Sequence, residues 1–241
     1  SKNILDKIFL QILNAVNYIH SKKLIHTDLK LGNILLCKKL HNIKILDDFN
    51  IKIIDFGTSH YINDKCNYNI GTLEYNSPEM ILGLPYNTKI DIWSCGCIYY
   101  ELLTGYCLFD YHEYYLNNEN LDSEDYNDAL SLSSNNSGYN TLFSNSNISD
   151  EEETFHQENL ILAIMIKVLG KIQGKIFKRG KYFENYFNNK GRLKQIPMYI
   201  KEYKLLNILL EEYNFSEEEG KKINKFIKYM LCSNPSNRKS A

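Results

Sequence analysis

Residues 26–35 read HTDLKLGNIL, and the motifs DFG and SPE follow at residues 55–57 and 77–79. Asp28 offers a carboxylate that could accept the proton of a hydroxyl group, and Lys30, two residues later, could reach a phosphate from the same loop. A lone DFG is a weak signal, because a tripeptide often arises by chance. The order and spacing of all three motifs therefore carry the inference of a catalytic site.

Two further side chains in these motifs are hard oxygen donors. Asn33 and Asp55 carry the amide and carboxylate oxygens that Mg²⁺ prefers over sulfur. Gly57 allows the backbone to turn where a side chain would crowd a bound phosphate. Each residue alone has a simpler explanation, since an Asp-x-Lys pair is usually solvated and an Asn before an apolar run is usually a cap. Their occurrence together favours a magnesium-assisted phosphoryl-transfer site.

The composition predicts an intracellular protein with a sizeable hydrophobic core. The 241 residues are 44% hydrophobic, and the formal net charge of −1 gives no global attraction to nucleic acid or to a membrane surface. The six cysteines include no CxxC pair, which predicts free thiols in a reducing compartment. No apolar run reaches the roughly 20 residues of a membrane-spanning helix. We therefore predict a soluble monomer that binds neither nucleic acid nor membrane directly.

The apolar pattern predicts a mainly α-helical chain. Apolar residues recur at helical spacing between residues 3 and 20, and residues 90–104 are apolar on nearly every side, which predicts a fully buried helix. Two short apolar runs, at residues 33–36 and 51–54, predict a β-hairpin that ends just before the DFG motif. Further helical patterns occupy residues 159–169, 183–188, 201–213 and 217–231.

Residues 117–154 differ in composition from the rest of the chain. They are rich in Asn, Ser and acidic residues, and no Lys or Arg occurs between Lys89 and Lys167. Such a segment buries too little apolar area to offset the entropy lost on ordering it, which predicts a disordered surface insert. An acidic docking segment for a basic partner is the alternative.

The three motifs, in this order, resemble the catalytic loop, the metal-binding loop and the end of the activation segment of eukaryotic protein kinases. The resemblance implies a kinase domain over residues 1–241 that uses ATP and Mg²⁺ to phosphorylate protein substrates. It implies catalytic roles for Asp28 and Lys30 and metal binding by Asn33 and Asp55. The residues implied to contact the nucleotide are Lys30, Asn33, Leu35, Asp55 and Gly57, with Leu35 beneath the adenine ring.

Other residues match structural positions of that family. Asp91 resembles a buried aspartate that holds the catalytic-loop backbone, and Glu79 with Arg238 resembles a buried ion pair. His26 is predicted to be a core histidine that bonds to backbone groups rather than a catalytic base.

Thr27 narrows the resemblance to one group of kinases. Most kinases place Arg between the His and Asp of this loop, where it binds a phosphate on the activation segment. HTDLK is instead similar to the serine/arginine-protein kinases and their LAMMER-type relatives. The former resemblance implies phosphorylation of Ser in Arg/Ser-rich splicing factors, in the cytoplasm and nucleus, without a phosphate on the activation segment. Similar stretches lie at residues 86–88, 168–172, 180–183, 187–191, 193–196, 209–213 and 216–219.

Some positions that shape the substrate site in that family differ here. Leu73 and Asn76 stand where two arginines flank a tyrosine, and Leu-Gly at residues 31–32 replaces Pro-Glu. By position in the sequence, Leu160 and Lys167 fall where the family carries an acidic docking groove. These changes predict a weaker preference for Arg/Ser repeats than the resemblance alone implies.

The sequence contains no Gly-x-Gly-x-x-Gly motif, and neither an ATP-orienting Lys nor a partner Glu helix can be identified. We therefore predict the C-terminal lobe of a kinase, with the N-terminal β lobe absent from this chain and the chain inactive alone. A LAMMER-type kinase is one alternative. A non-catalytic kinase remnant that serves as a binding module is the other.

Overall fold

Helices dominate this computed structural model, which describes residues 2–37, 49–67, 70–111, 150–170, 172, 177–195 and 204–241. The α-helices in these ranges are α1 (Lys2–Ser21), α2 (Pro78–Ile81), α3 (Lys89–Thr104), α4 (Asp150–Leu169), α5 (Phe183–Tyr186), α6 (Leu205–Asn207) and α7 (Glu217–Met230). A π-helical turn, Ile208–Glu212, continues α6, and 3₁₀ turns cover Leu31–Asn33, Leu73–Tyr75 and Phe177–Arg179. The strands are β1 (Leu24–Ile25), β2 (Ile34–Leu36), β3 (Ile51–Ile53) and β4 (His60–Tyr61).

Helix α1 forms where the helical spacing predicts it. The residues that it buries recur every three or four positions, and they lie on the face that packs against α3. The Phe9 and Tyr99 rings, one from each helix, lie 4.5 Å apart. Burial of this single apolar stripe fixes α1 directly before the catalytic loop. The buried residues are Ile8, Phe9, Ile12, Val16 and Ile19.

Helix α3 is the central element of the core. Every residue from Ile90 to Tyr100 is buried, which confirms the prediction of a helix enclosed on all sides. Helix α7 and the residues after it pack across α3 at Gly96, where an added Cβ would lie 2.8 Å from Leu231 Cδ2. The helix ends at Gly105, whose φ of 84° gives the left-handed cap that glycine adopts without strain.

Two small antiparallel sheets bring the functional loops together. In the first, β2 pairs with β3, and Ile34 lies opposite Ile53. This pair confirms the hairpin strands predicted from the sequence, and residues 38–48, between the two strands, lie outside the described residues. In the second, β1 pairs with β4, and Ile25 lies opposite His60. The sequence analysis did not predict the second sheet, because two-residue strands leave no periodic pattern to detect.

Helix α4 begins nine residues earlier than the pattern predicted, at Asp150 rather than Asn159. Two contacts favour the longer helix. The Phe155 ring stacks on Tyr186 with centroids 5.1 Å apart, and the Tyr186 hydroxyl donates a hydrogen bond to Glu158. The predicted disordered insert, 117–154, is therefore wrong for residues 150–154, and its remainder lies outside the described residues.

The remaining predicted helices are shorter than expected. Helix α5 and helix α7 fall inside the predicted ranges, whereas the pattern at 201–213, described from residue 204, forms α6 and its π-helical turn. All six cysteines are described, and none forms a disulfide. Within the described ranges, no helix combines the length and apolar content needed to cross a membrane.

Ser77, at the start of α2, has a fully buried hydroxyl with no hydrogen-bond partner among the described residues. We expect Ser77→Ala to raise the free energy of unfolding by about 1 kcal/mol, because it removes a desolvated polar group. Ser94→Ala is the matched control, since the buried Ser94 hydroxyl donates to the Tyr75 carbonyl at 3.0 Å. It should lower that free energy by about 1 kcal/mol. Urea unfolding of both variants checks the sign, and destabilisation by Ser77→Ala would contradict the assignment.

Candidate active site

Asp91 holds the backbone of the loop that carries Asp28. Its Oδ2 accepts a hydrogen bond from the backbone N–H of His26, and its Oδ1 accepts one from the backbone N–H of Thr27, both at 2.9 Å. The His20 ring lies 2.8 Å from the same Oδ2. Asp91 is almost fully buried, so these bonds to backbone N–H groups stabilise its carboxylate. This geometry confirms the predicted role of Asp91.

Thr27 has a strained backbone conformation that the neighbouring contacts maintain. Its φ is 75°, an uncommon value for a β-branched residue. Asp91 fixes its N–H, and its hydroxyl lies 2.8 Å from the Thr58 hydroxyl and donates toward the Thr58 carbonyl at 3.2 Å. A short polar side chain therefore joins the catalytic loop directly to the residue after the DFG motif.

His26 connects the same two loops from inside the core. Its Nε2 lies 3.0 Å from the carbonyl oxygen of Ile54, and its ring makes an edge contact with Phe56 at 4.8 Å between centroids. The residue is fully buried. These contacts confirm the prediction of a core histidine that bonds to backbone.

Asp28 and Lys30 meet at a third residue that the sequence analysis did not identify. The Thr72 hydroxyl donates to Asp28 Oδ1 at 2.7 Å and accepts from Lys30 Nζ at 2.9 Å. Lys30 Nζ also lies 3.5 Å from Asp28 Oδ2. The hydroxyl of Thr72 therefore bridges the predicted base and the predicted phosphate-binding cation.

Gly71 allows Thr72 to reach this position. The φ of Gly71 is +83°, and a Cβ added there would lie 2.4 Å from Asn76 Oδ1 and 2.9 Å from the Thr27 carbonyl oxygen. Only glycine adopts this conformation at this distance without displacing the catalytic loop. In the sequence, the feature that could have indicated the role of Thr72 is its position directly after Gly71 and five residues before Ser77.

A backbone hydrogen bond joins the segments that carry Asn33 and Asp55, and both side chains have an oxygen atom that a metal ion could use. The backbone N–H of Ile54, the residue before Asp55, donates to the Asn33 carbonyl at 3.0 Å. Asn33 Nδ2 donates to the Asp28 carbonyl at 2.8 Å and lies 3.3 Å from Asp28 Oδ2, so its amide oxygen is directed away from Asp28. Within the described ranges, no group of three His, Cys, Asp or Glu side chains could hold a metal. The pair fits Mg²⁺, which often uses one or two protein oxygens together with substrate phosphates.

Leu35 and Gly57, which are also predicted to contact the nucleotide, are both exposed. Leu35 is 48% exposed on β2, opposite Lys52 of β3. Gly57 is exposed, and a Cβ added there would lie 3.3 Å from the Asp55 carboxylate. A side chain at position 57 would therefore crowd the oxygen that Asp55 offers to a metal.

Glu79 and Arg238 form the predicted ion pair in full burial. Arg238 Nη1 lies 2.6 Å from Glu79 Oε1, and Nη2 lies 3.1 Å from Oε2, so the contact is bidentate. The guanidinium also donates to the carbonyls of Cys232 and Lys89 and stacks 5.0 Å from the Trp93 ring. These contacts tie α2 to the chain after α7.

Tyr75 and the residues on either side of it, Leu73 and Asn76, make contacts within the protein. Tyr75 is buried, and its hydroxyl donates to Glu101 at 2.6 Å and lies 3.4 Å from Cys107 Sγ. Burial raises the pKa of the Glu101 carboxyl and raises that of the Cys107 thiol to about 12. Leu73 packs against the core, and Asn76 donates to the Ile70 carbonyl at 3.2 Å, so both serve the segment itself.

One substrate-site expectation is wrong. Leu160 is 3% exposed and belongs to the main hydrophobic core, because α4 buries a continuous apolar run from Leu160 to Met165. Its side chain is therefore not available to a docked peptide. Lys167 is half-buried near the end of α4.

Comparison with known proteins agrees with this geometry. The family model for the protein kinase domain matches residues 1–241. The chain is 29% identical over 191 residues to the serine/threonine-protein kinase SKY1 of Saccharomyces cerevisiae, covering 79% of this chain and 20% of that protein. It is 26% identical over 279 residues to the serine/threonine-protein kinase SRPK of Physarum polycephalum, covering 96% of this chain and 57% of that protein. The mouse dual specificity protein kinase CLK1 is 38% identical over 117 residues, which cover 44% of this chain and 24% of that protein.

Proposed function

Because the chain belongs to the protein kinase family by its match over residues 1–241, we propose that the complete natural protein transfers the γ-phosphate of ATP to serine hydroxyls of protein substrates. The observation that carries this proposal is the bridge that Thr72 makes between Asp28 and Lys30. The bridge holds a base and a phosphate-binding cation at a fixed separation. Phosphoryl transfer depends on such positioning more than on covalent chemistry.

Asp28 would accept the proton of the attacking serine hydroxyl. Thr72 bonds one of its carboxylate oxygens, and Asn33 Nδ2 lies 3.3 Å from the other. These two contacts restrict rotation of the carboxylate and orient it for proton transfer. Lys30 would bind the oxygens of the transferred phosphate through its ammonium group.

Asn33 and Asp55 would hold Mg²⁺, and bound Mg-ATP would supply the phosphoryl group. The exposed Asp55 carboxylate and the amide oxygen of Asn33 are the donors. The φ of Asp55 is 64°, a left-handed conformation that Asp tolerates better than most residues, and Asp55 Oδ1 accepts the Gly57 N–H at 3.3 Å. Leu35 would provide the apolar surface beneath the adenine ring.

The substrates would be basic, serine-containing proteins, with Arg/Ser-rich splicing factors as the specific candidates. Support comes from the similarity to SRPK, which extends over 96% of this chain, and from Thr27 in the catalytic loop. The half-buried Lys167 near the end of α4 would repel a basic peptide and argues against an acidic docking groove at that position. The preference for Arg/Ser repeats over other basic peptides is therefore expected to be modest.

We infer that this chain is the C-terminal lobe of a kinase, and we expect the 241-residue chain alone to be inactive. The sequence contains no Gly-x-Gly-x-x-Gly motif, and among the described residues the strands form only two two-stranded sheets. The chain spans 20% of the length of SKY1 and 57% of the length of SRPK.

Two alternatives are less well supported. A LAMMER-type kinase is the first alternative, and the local match to CLK1 covers 44% of this chain, against 96% for the match to SRPK. A non-catalytic remnant that acts as a binding module would not need to keep Asp28, Lys30, Asn33 and Asp55, nor the Thr72 bridge that joins the first two. The contacts around Asp28 therefore favour an enzyme.

A phosphate-transfer assay on the complete natural protein tests the proposal. The substrate is an Arg/Ser-repeat peptide, and a scrambled basic peptide of equal charge is compared at low and physiological salt. We expect transfer to serine that Thr72→Ser preserves and that Thr72→Ala reduces at least tenfold, since only serine can keep the bridging hydroxyl. Thr104→Ala, which removes a hydroxyl bonded at the end of α3, is the control and should retain wild-type activity.

Two results would contradict the proposal. The first is the absence of Mg-ATP-dependent transfer by the complete protein. The second is full activity in Thr72→Ala, which would remove the observation on which the proposal depends.

A further inference from the structure

Tyr86 contacts the activation segment, defined here by its described residues 58–67 and 70–76. The Tyr86 hydroxyl donates to the Asn67 carbonyl at 2.7 Å and accepts from the Asn67 backbone N–H at 3.1 Å. One phenol therefore bonds both backbone groups of a single residue. Tyr86 lies between α2 and α3, outside the segment, and is 8% exposed.

Apolar contacts around Tyr86 support the same attachment. Tyr86 belongs to a second hydrophobic cluster, separate from the main core, whose other buried members are Ile25, Met80 and Ile90. Three side chains of the activation segment pack against this cluster. The Tyr86 ring also lies 5.6 Å from the His60 ring, and the Cys66 thiol approaches the Tyr86 carbonyl at 3.8 Å. The three packed side chains are Ile62, Cys66 and Ile70.

The attachment lies close in sequence to the catalytic contacts. Asn67 precedes Thr72 by five residues, and Thr72 bridges Asp28 and Lys30. At the other end, the segment begins at Thr58, which bonds to Thr27. Contacts with Thr27, Tyr86 and Asp28 therefore hold the segment at Thr58, Asn67 and Thr72.

We propose that Tyr86 is a positioning residue that, through Asn67, holds the activation segment in the arrangement in which Thr72 bridges Asp28 and Lys30. The phenol supplies two neutral hydrogen bonds, and the cluster beneath it supplies apolar burial. The inference rests on the proposed function only for its effect on catalysis, since the attachment itself is a property of the fold.

Hydrogen exchange tests the attachment independently of activity. The complete natural protein is first treated with phosphatase, and Tyr86→Phe is compared with the wild type over residues 58–67. We expect exchange there to accelerate about tenfold, because the variant keeps the ring but removes both hydrogen bonds. Tyr99→Phe is the matched control, since its half-buried hydroxyl donates to Asp6 at 3.1 Å, away from the segment. It should leave exchange in residues 58–67 unchanged.

Steady-state kinetics then separates positioning from a general loss of stability. In Tyr86→Phe we expect kcat to fall severalfold and the peptide KM to rise, with the KM for Mg-ATP unchanged. Unchanged exchange in Tyr86→Phe, or an equal acceleration in Tyr99→Phe, would overturn the attachment whatever the activity. If exchange accelerates only in Tyr86→Phe while the wild type shows no phosphate transfer, the attachment stands and the proposed kinase function fails.

Discussion

Asp28→Asn is expected to lower the kcat of the complete natural protein by about 10²–10⁴-fold, the usual effect of losing a positioned base. The amide oxygen of asparagine can still accept the Thr72 hydrogen bond that Asp28 Oδ1 accepts at 2.7 Å, so the loop should keep its geometry. The amide cannot take up the proton of a substrate hydroxyl. Initial rates at saturating peptide and Mg-ATP measure the loss, and thermal unfolding verifies that the variant is folded.

Asp6→Asn provides the control for this substitution. Asp6 is a carboxylate on α1 that accepts a hydrogen bond from Tyr99 and does not contact the catalytic loop. Its kcat should equal that of the wild type. If Asp28→Asn retained half or more of the wild-type kcat, Asp28 would not be the base, and the role of the Thr72 bridge would have to be structural.

The second large effect is expected at the buried pair of Glu79 and Arg238. Glu79→Gln should lower the free energy of unfolding by roughly 3–5 kcal/mol, because it leaves the Arg238 guanidinium buried without a counter-charge. The side chains of both residues are at most 2% exposed, so water cannot replace the lost carboxylate. Equilibrium urea unfolding of the 241-residue chain measures the change.

A double-mutant cycle and a variant of a surface ion pair serve as controls for the effect of Glu79→Gln on the free energy of unfolding. Glu79→Gln combined with Arg238→Met should destabilise by less than the sum of the single variants, since the double variant buries no unpaired charge. Glu218→Gln breaks the exposed pair with Lys222 on α7 and should change the free energy of unfolding far less. Similar effects of Glu79→Gln and Glu218→Gln would show that the buried pair contributes little.

The sequence predicted features that depend on local periodicity or on adjacent motif residues. Helix α1, the buried helix α3 and the paired strands β2 and β3 follow from apolar spacing, which is a property of neighbouring residues. The partners of Asp91 and the pair of Glu79 with Arg238 follow from the family resemblance, although the residues are distant in the chain. The structure brings Asp28, Lys30 and Asn33 close together, and the roles of these three residues and of Asp55 stay predictions.

The features that the sequence did not predict depend on contacts between residues that are distant in the chain. Thr72 meets Asp28 across 44 residues, and Tyr86 meets Asn67 across 19. A threonine or tyrosine in a loop has no spacing that indicates its partner. Leu160 was misplaced for a related reason: a comparison by position cannot tell which face of a helix packs into the core.

The burial of α3 has a consequence for how the protein is made. The apolar helix from Ile90 to Tyr100 is covered on one side by α1, which precedes it, and on another by α7, which the ribosome adds more than 110 residues later. Arg238 follows its partner Glu79 by 159 residues. At about 5–20 residues per second, roughly 8–30 s of synthesis separate the two charges. During that interval the nascent chain exposes the apolar surface of α3, so we expect it to depend on chaperones until α7 emerges.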